Sequence, residues 1–210
     1  ISETNGLPAK FMLSQCKDLT IPAHWHDYLE VLYMMKGALT AVVQAGSYLL
    51  TPGSLMVINS KELHMTRANG SVSYILLQIS AGQLQNFLPS GTSLHFQTMI
   101  TPAEKADVFS SLRRNLEHML DAYTCQESGY QFFFAANLYE FLYHLYKNFC
   151  SAFPSAPETR ANRDLERVTQ VMDWVRNHFQ EQLTLDDAAA SLAVSREYFC
   201  RLFKRYTGQT

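Results

Sequence analysis

The chain has 210 residues, of which 47% are hydrophobic, so it is long enough for one or two domains with buried cores. No apolar run approaches the roughly 20 residues that a transmembrane helix needs, and no signal-peptide pattern opens the chain; we therefore expect a cytoplasmic protein without a membrane segment. The four cysteines lack metal-binding or disulfide spacing, which favours free thiols. The net charge of -2 is unevenly distributed: residues 1–153 hold 9 Lys and Arg against 11 Asp and Glu, whereas residues 195–206 hold 4 against 1. Only the C-terminal segment is suited to nucleic acid.

Short apolar segments separated by turn signals fill the first half of the chain. The segments are rich in Val, Ile, Leu and Tyr, and the turns between them are Lys36-Gly37, Ala45-Gly46, Pro52-Gly53 and Asn69-Gly70. Close spacing without intervening helices predicts an antiparallel β-sandwich or barrel.

A spacing of histidines, a glutamate and a glycine stands out within these strands. His24, His26, Glu30 and Gly37 match H-x-H-x3-E-x6-G, and this stretch resembles the first motif of the cupin family. Of the second cupin motif the histidine is kept as His64, whereas its proline, second glycine and asparagine are replaced. The resemblance implies a cupin barrel over residues 11–79.

The candidate effector site lies in this region. His24, His26, Tyr28 and Glu30 share parity, so a regular strand would project all four into the barrel interior. With His64 they are the predicted ligand-binding residues for a small-molecule effector, such as a sugar or another metabolite. The cupin resemblance also implies that the three histidines and the glutamate could hold a divalent metal. The sequence alone favours an organic ligand and no cofactor; histidines without a ligand role are the third alternative.

Two helices are predicted after the barrel. The first carries one apolar stripe, formed by Val108, Leu112, Leu116, Met119, Leu120 and Tyr123. The second, over residues 129–149, is apolar around nearly its whole circumference, which is more than one barrel wall could cover. Either the first helix covers the remainder or a second copy of the chain does, and we favour a homodimer. Residues 154–160 then have the composition of an exposed linker.

A helix-turn-helix plan is predicted at the C-terminal end. Thr184 and Asp187 form a capping box that opens one short helix, and Ser195 caps the next helix after a tight turn. At about 100° per residue, this last helix separates an aromatic face from a basic face. A supporting helix upstream is predicted by an apolar stripe of Leu165, Val168, Met172, Val175 and Phe179. An ordinary helical hairpin with a solvated basic face is the alternative.

Residues 183–210, LTLDDAAASLAVSREYFCRLFKRYTGQT, closely resemble the first helix-turn-helix of the AraC/XylS family of bacterial transcription regulators. That family has a second helix-turn-helix, so we expect the chain to be a fragment of a longer protein. The resemblance implies base contacts around Glu197, Cys200 and Arg201. Their positions on the basic face make Arg196, Lys204 and Arg205 candidate phosphate contacts, and the capping Ser195 completes the predicted DNA-binding set.

Both resemblances agree, because cupin barrels are the common sensor fold of AraC-type regulators. We predict a mixed β and α protein with a cupin-like antiparallel barrel (residues 1–98), a helical dimerisation segment (99–153), a linker (154–163) and a partial AraC-type helix-turn-helix domain (164–210). Its predicted function is that of a ligand-responsive transcription regulator, and we expect no enzymatic activity. The predicted partners are double-stranded DNA, a small-molecule effector and a second copy of the chain, and no membrane association is expected. The alternative is a cupin metalloenzyme, a dioxygenase or isomerase, with an accessory helical tail.

Overall fold

The computed structural model describes residues 6–44, 46–87, 94–103, 105–151 and 160–207. Within these ranges, long strands come first along the chain and long helices follow. The strands are β1 (Lys10–Lys17), β2 (Thr20–His24), β3 (Tyr28–Lys36), β4 (Leu39–Val43), β5 (Gly46–Leu50), β6 (Leu55–Ile58), β7 (His64–Arg67), β8 (Ser71–Ser80), β9 (His95–Phe96), β10 (Met99–Ile100) and β11 (Cys150–Ser151). The helices are α1 (Ala81–Gln85), α2 (Ala106–Cys125), α3 (Tyr130–Phe149), α4 (Arg160–His178), α5 (Leu185–Ser191) and α6 (Arg196–Thr207).

The described strands form two main antiparallel sheets. One has the strand order β1-β8-β3-β6-β10 and the other the order β2-β7-β4-β5, while β9 and β11 pair separately. The predicted cupin-like fold, antiparallel β-structure followed by helices, is confirmed, although these strands form two sheets rather than one closed barrel.

Both faces of the five-stranded sheet are buried. Along β3, Leu32 and Met34 pack with the residues of the four-stranded sheet, whereas Val31 and Tyr33 pack with α2 and α3. Because strand side chains alternate between faces, a strand covered on both sides is a continuous apolar run. Each such side chain contributes about 1.5 to 3 kcal/mol by its burial, so this layered core is the main source of stability.

Gly37 makes the turn from β3 to β4. Its φ is +79°, a left-handed conformation that glycine adopts without strain. A Cβ at this position would also collide with the backbone oxygen of Ser71. The glycine of the first cupin motif is therefore needed here for steric reasons.

The helix that is apolar all round, α3, has two different faces. Phe134, Leu138, Phe141 and Leu145 are buried against α2 and the five-stranded sheet. The opposite side leaves large side chains exposed, among them Phe132, Phe133, Tyr139, Tyr143 and Tyr146. Intramolecular packing therefore covers only part of this helix.

The C-terminal helices pack into a small unit of their own. In α4, Val168 and Val171 are buried, whereas Val175 and Phe179, the residue after the helix, are exposed, so the predicted apolar stripe was only partly correct. The reason is that Val171, which lies outside that stripe, turns towards α5 and Phe199 of α6. The predicted linker is also shorter at its C-terminal end, because residues 160–163 already form the first turn of α4. Residues 152–159 lie outside the described residues.

In the described part of the chain, no helix combines the length and the apolar character needed to cross a bilayer.

Candidate functional site

The predicted effector residues come together where the two main sheets meet. His24 ends β2 and pairs with His64, the first residue of β7, in the four-stranded sheet. Glu30 lies on β3 in the five-stranded sheet, and Tyr28 opens that strand. The prediction of one regular strand through this region was wrong, because the chain leaves one sheet after His24 and enters the other at Tyr28.

Three imidazole rings form the centre of the cluster. The ring centroid of His64 lies 4.2 Å from that of His24 and 4.9 Å from that of His26. One nitrogen of each ring lies within 4.8 Å of a nitrogen of the other two. We call His24, His26, His64 and Glu30 the histidine site.

Hydrogen bonds to oxygen determine which nitrogen of each ring is free. Nδ1 of His24 donates to the carbonyl of Pro22 (2.9 Å) and Nδ1 of His64 to the carbonyl of Glu62 (2.8 Å). Because a neutral imidazole carries one N–H and a carbonyl only accepts, the lone pair of both rings is on Nε2. His26 instead donates from Nε2 to Oε2 of Glu30 (3.0 Å).

Two of the remaining ring nitrogens are buried without a hydrogen-bond partner. They are Nε2 of His64 and Nδ1 of His26. Burial lowers the pKa of His64 to about 4, more than its hydrogen bond to Glu62 and the nearby charge of Glu30 raise it. The ring is therefore neutral at pH 7 and keeps its lone pair available.

Glu30 is the only acidic member of the histidine site, and it is 6% exposed. Burial alone would raise the pKa of this carboxyl group. The hydrogen bond from His26, the proximity of His64 and a hydrogen bond from Nε2 of Gln78 (2.5 Å) together lower the pKa below its ordinary value. Glu30 is therefore ionised at neutral pH and orients the imidazole of His26.

The structure adds one residue to the predicted site and moves another to its edge. Gln78 lies opposite Glu30 in the pairing of β3 with β8, and no sequence motif marks it. Tyr28 is 40% exposed, with its ring 5.6 Å from that of His26, so it lies at the rim of the cluster.

The helix-turn-helix region has the local hydrogen bonds that its sequence predicts. The capping box of α5 is formed, with Oγ1 of Thr184 accepting from the backbone N–H of Asp187 and the Asp187 carboxylate accepting from Thr184 N–H. Ala193 in the turn has a left-handed φ of 52°, and Ser195 accepts a hydrogen bond from the backbone N–H of Tyr198 to cap α6.

The basic face of α6 is open to solvent. Arg201, Lys204 and Arg205 are exposed, and Cys200 is half-buried between the two faces. Arg196 is exposed as well and lies 3.7 Å from the carboxylate of Asp186. A positively charged surface on the second helix of a helix-turn-helix is suited to contact DNA phosphates and base edges.

Comparison with known families agrees with both parts of this architecture. The family described as "AraC-like ligand binding domain" matches residues 11–142, and the family "Bacterial regulatory helix-turn-helix proteins, AraC family" matches residues 175–210. The chain belongs to the AraC family. It thus combines the ligand-binding and helix-turn-helix parts of a ligand-responsive transcriptional regulator.

Individual relatives of this AraC-family chain are distant. A Bacillus subtilis (strain 168) protein named "Uncharacterized HTH-type transcriptional regulator YdeC" is 24% identical over 208 residues, which cover 90% of this chain and 67% of that protein. A cupin-2 domain protein of Shewanella frigidimarina NCIMB 400 is 22% identical over 33% of this chain and 69% of its own, with a TM-score of 0.31. A cupin superfamily protein of Desulfitobacterium hafniense DCB-2 is 9% identical over 35% and 68%, with a TM-score of 0.34. The aligned parts thus cover about two thirds of the length of each of these relatives.

Proposed function

We propose that this regulator detects its effector at the histidine site. The observation that supports the proposal is shared by all three rings. His24, His26 and His64 each donate one N–H to an oxygen and keep the other nitrogen free, and nitrogens of the three rings lie within 4.8 Å of one another. Two of these free nitrogens, Nδ1 of His26 and Nε2 of His64, are buried without a partner, which is costly, so the arrangement favours a ligand that accepts electron pairs.

A divalent transition-metal ion fits this donor set. Imidazole nitrogen is a preferred ligand of zinc, copper, iron and nickel, and metal-binding histidines generally donate their second N–H to a carbonyl or carboxylate. His24, His26 and His64 would hold the ion, while Glu30 keeps His26 oriented. The bound ion would offer a positive charge with open positions, so the effector is either the ion itself or a polar molecule that binds beside it, with Tyr28 at the rim.

Metal binding by the purified chain tests this proposal. Isothermal titration of the chelator-treated protein with Zn²⁺ should show one site per chain, and His64→Asn should abolish it while the circular dichroism spectrum is retained. Asp27→Asn is the matched control. This exposed carboxylate directly follows His26 in the β2–β3 connection, but it pairs with Lys61 and not with the histidine site. A wild-type chain that binds no divalent transition metal would contradict the metal site, and retained binding in His64→Asn would place the ion elsewhere.

We also propose that the chain binds its effector without converting it. A helix-turn-helix unit follows the ligand-binding part in the same chain, so a bound state that is passed to DNA is a sufficient role for the histidine site. The alternative, a cupin metalloenzyme of the dioxygenase or isomerase type, requires turnover. Consumption of O2 or chemical change of a candidate effector by the metal-loaded protein would favour that alternative.

A homodimer is the proposed assembly. The exposed side of α3 carries residues spaced four, three, four and three positions apart, namely Phe132, Ala136, Tyr139, Tyr143 and Tyr146. This is the spacing of a coiled-coil seam, and Phe132 is 83% exposed in the single chain. Pairing of two such helices would bury the stripe, so we propose that α3 faces its counterpart in a second copy.

Sedimentation equilibrium tests the dimer. The wild type should have twice the 23.9 kDa mass of the chain at tens of micromolar, and Tyr139→Glu should shift it to the monomer. Phe133→Glu is the matched control, because Phe133 is similarly exposed on the same helix but packs beside His118, off the stripe. A monomeric wild type would contradict the proposal.

We propose further that α6 reads DNA. The candidate contacts are Ser195, Arg196, Glu197, Cys200, Arg201, Lys204 and Arg205. Because DNA is then the partner, we place the action of the protein in the cytoplasm. The proposed division is a sensor over residues 1–98, a dimerisation segment over residues 99–153 and a DNA-binding unit over residues 164–210.

A further inference from the structure

Three apolar residues of the sensor pack against the DNA-binding unit instead of the sensor core. Ala23, Trp25 and Leu63 form one cluster with residues of α4 and α6, among them Leu202 and Tyr206. Leu63 is only 1% exposed as a consequence. We call Ala23, Trp25 and Leu63 the docking patch.

The docking patch and the histidine site alternate along the same two chain segments. Ala23 and Trp25 flank His24 in sequence, and Leu63 directly precedes His64. Side chains of extended segments point alternately to opposite faces, so histidines face the site while their neighbours face the helices. The pairing of His24 with His64 joins both segments into one unit.

On α6, too, residues of the contact are sequence neighbours of proposed functional residues. Leu202 and Tyr206, which contact the docking patch cluster, directly follow Arg201 and Arg205 of the basic face. Backbone movement at this contact therefore reaches the histidine nitrogens on one side and the proposed DNA contacts on the other.

We propose that the docking patch holds the helix-turn-helix unit of the same chain, and that ligand binding at the histidine site and this docking are thermodynamically linked. The linkage rests on the proposed function of the histidine site. The docked surface includes three residues of the sensor and a few apolar side chains of α4 and α6, and small contacts between parts of one chain are readily broken. A ligand that binds the docked and undocked forms with different affinities would then shift the equilibrium between them.

Tryptophan fluorescence of the whole chain measures docking. In a Trp174→Phe background the emission comes from Trp25 alone, because the chain has 2 tryptophans. Tyr206→Glu introduces a carboxylate on the helix side of the contact and should shift the Trp25 emission to longer wavelength and increase its quenching by acrylamide. Tyr206→Phe, which keeps the ring in the contact, should change both far less than Tyr206→Glu.

Zn²⁺ titration of the same proteins measures the linkage. The docked form restrains the segments that carry His24 and His64, so Tyr206→Glu should weaken Zn²⁺ binding by about fivefold or more. Ala23→Glu introduces the charge from the sensor side and leaves the helices unaltered, so it should weaken binding similarly, with Ala23→Ser as its control. Agreement between variants on opposite sides of the contact excludes simple unfolding of the helical unit as the cause.

Different results overturn different parts of the proposal. If Trp25 becomes exposed in Tyr206→Glu while both Glu variants bind Zn²⁺ with wild-type affinity, the linkage is wrong and the histidine site still stands. If the emission of Trp25 is the same in Tyr206→Glu and in the wild type, docking is absent in solution. A wild type that binds no Zn²⁺ refutes the metal site together with the linkage, and the Trp25 emission then decides docking alone.

Discussion

Replacing Glu30 by glutamine should destabilise the metal-free sensor measurably. The carboxylate is buried and accepts hydrogen bonds from Nε2 of His26 (3.0 Å) and from Nε2 of Gln78 (2.5 Å). Both donors bond to the same oxygen, Oε2. A glutamine of nearly the same shape can place its amide oxygen at that position and accept from both donors, and its NH2 group then takes the position of Oε1, which lies 3.9 Å from Nε2 of His64. The substitution therefore keeps both hydrogen bonds but removes the charge from both.

The expected magnitude follows from the loss of charge at these two hydrogen bonds. Hydrogen bonds to charged groups are worth about 1.5 to 3 kcal/mol against about 0.5 to 1.5 for neutral ones. We therefore expect Glu30→Gln to lower the free energy of unfolding by about 2 to 3 kcal/mol. Urea denaturation followed by circular dichroism measures this change, provided that the dependence on denaturant concentration stays that of the wild type.

The matched control is Asp27→Asn in the neighbouring β2–β3 connection. Asp27 is exposed and its carboxylate lies 3.8 Å from the Lys61 ammonium group, so its loss should change stability by less than about 0.5 kcal/mol. If Glu30→Gln also stayed within about 0.5 kcal/mol of the wild type, the hydrogen bonds from His26 and Gln78 would not exist in solution. In that case the orientation of the histidine site would need another cause.

The same position tests ligand binding separately from stability. Glu30→Ala should weaken binding at the histidine site by about 10- to 100-fold, because the oriented His26 contact is worth on the order of 1 to 3 kcal/mol. Titration of the folded variant with Zn²⁺ at low denaturant measures this. Wild-type affinity in a folded Glu30→Ala protein would show that the carboxylate has no role in the site.

Further predictions concern DNA binding, capping and pH. DNA selection and DNA titration over a salt series test the basic face of α6. Arg201→Ala should lower the free energy of specific DNA binding by about 1 to 3 kcal/mol and relax the preference at one base position, whereas Lys204→Ala should weaken binding to all sequences alike and reduce the slope of log affinity against log salt by about one. Unchanged affinity and base preference in Arg201→Ala would refute base reading by α6. Thr184→Ala should lower the free energy of unfolding of the helix-turn-helix by about 1 kcal/mol, while Thr184→Ser keeps the cap. Equal melting temperatures of the two variants would contradict the capping box. Because the folded state holds the pKa of His64 at about 4 against an ordinary 6.5, the unfolded chain takes up the proton first as pH falls. The metal-free protein should thus lose up to about 3 kcal/mol of unfolding free energy between those pH values, and a His64→Gln protein with the same pH profile would contradict this.

Several features of this protein follow from local sequence alone. The capping box at Thr184 and Asp187 and the serine cap at Ser195 involve residues three positions apart, so their hydrogen bonds form wherever the chain is helical. The spacing of His24, His26 and Glu30 likewise pointed to residues that the structure brings close to one another. Apolar periodicity also located α3 to within one residue at its start.

Other features depended on which elements meet in space. Gln78 reaches Glu30 across 48 residues of sequence because β3 and β8 pair in one particular register, and no local pattern encodes that register. The choice between Val171 and Val175 for burial in α4 likewise depended on where α5 and α6 lie.

The burial of the histidine site and of the docking patch was decided at this tertiary level too. The hydrogen bond of His64 to the Glu62 carbonyl is local, but the burial that lowers the pKa of His64 and its proximity to Glu30 depend on a strand more than 30 residues away. The burial of Leu63 depends on a helix more than a hundred residues further along the chain. The sequence therefore determined the helix caps and the histidine spacing, because periodicity and short-range hydrogen bonds are local. The long-range partners such as Gln78, the burial of the site and the pKa of His64 were determined only by tertiary structure, because these depend on contacts between segments that are distant along the chain.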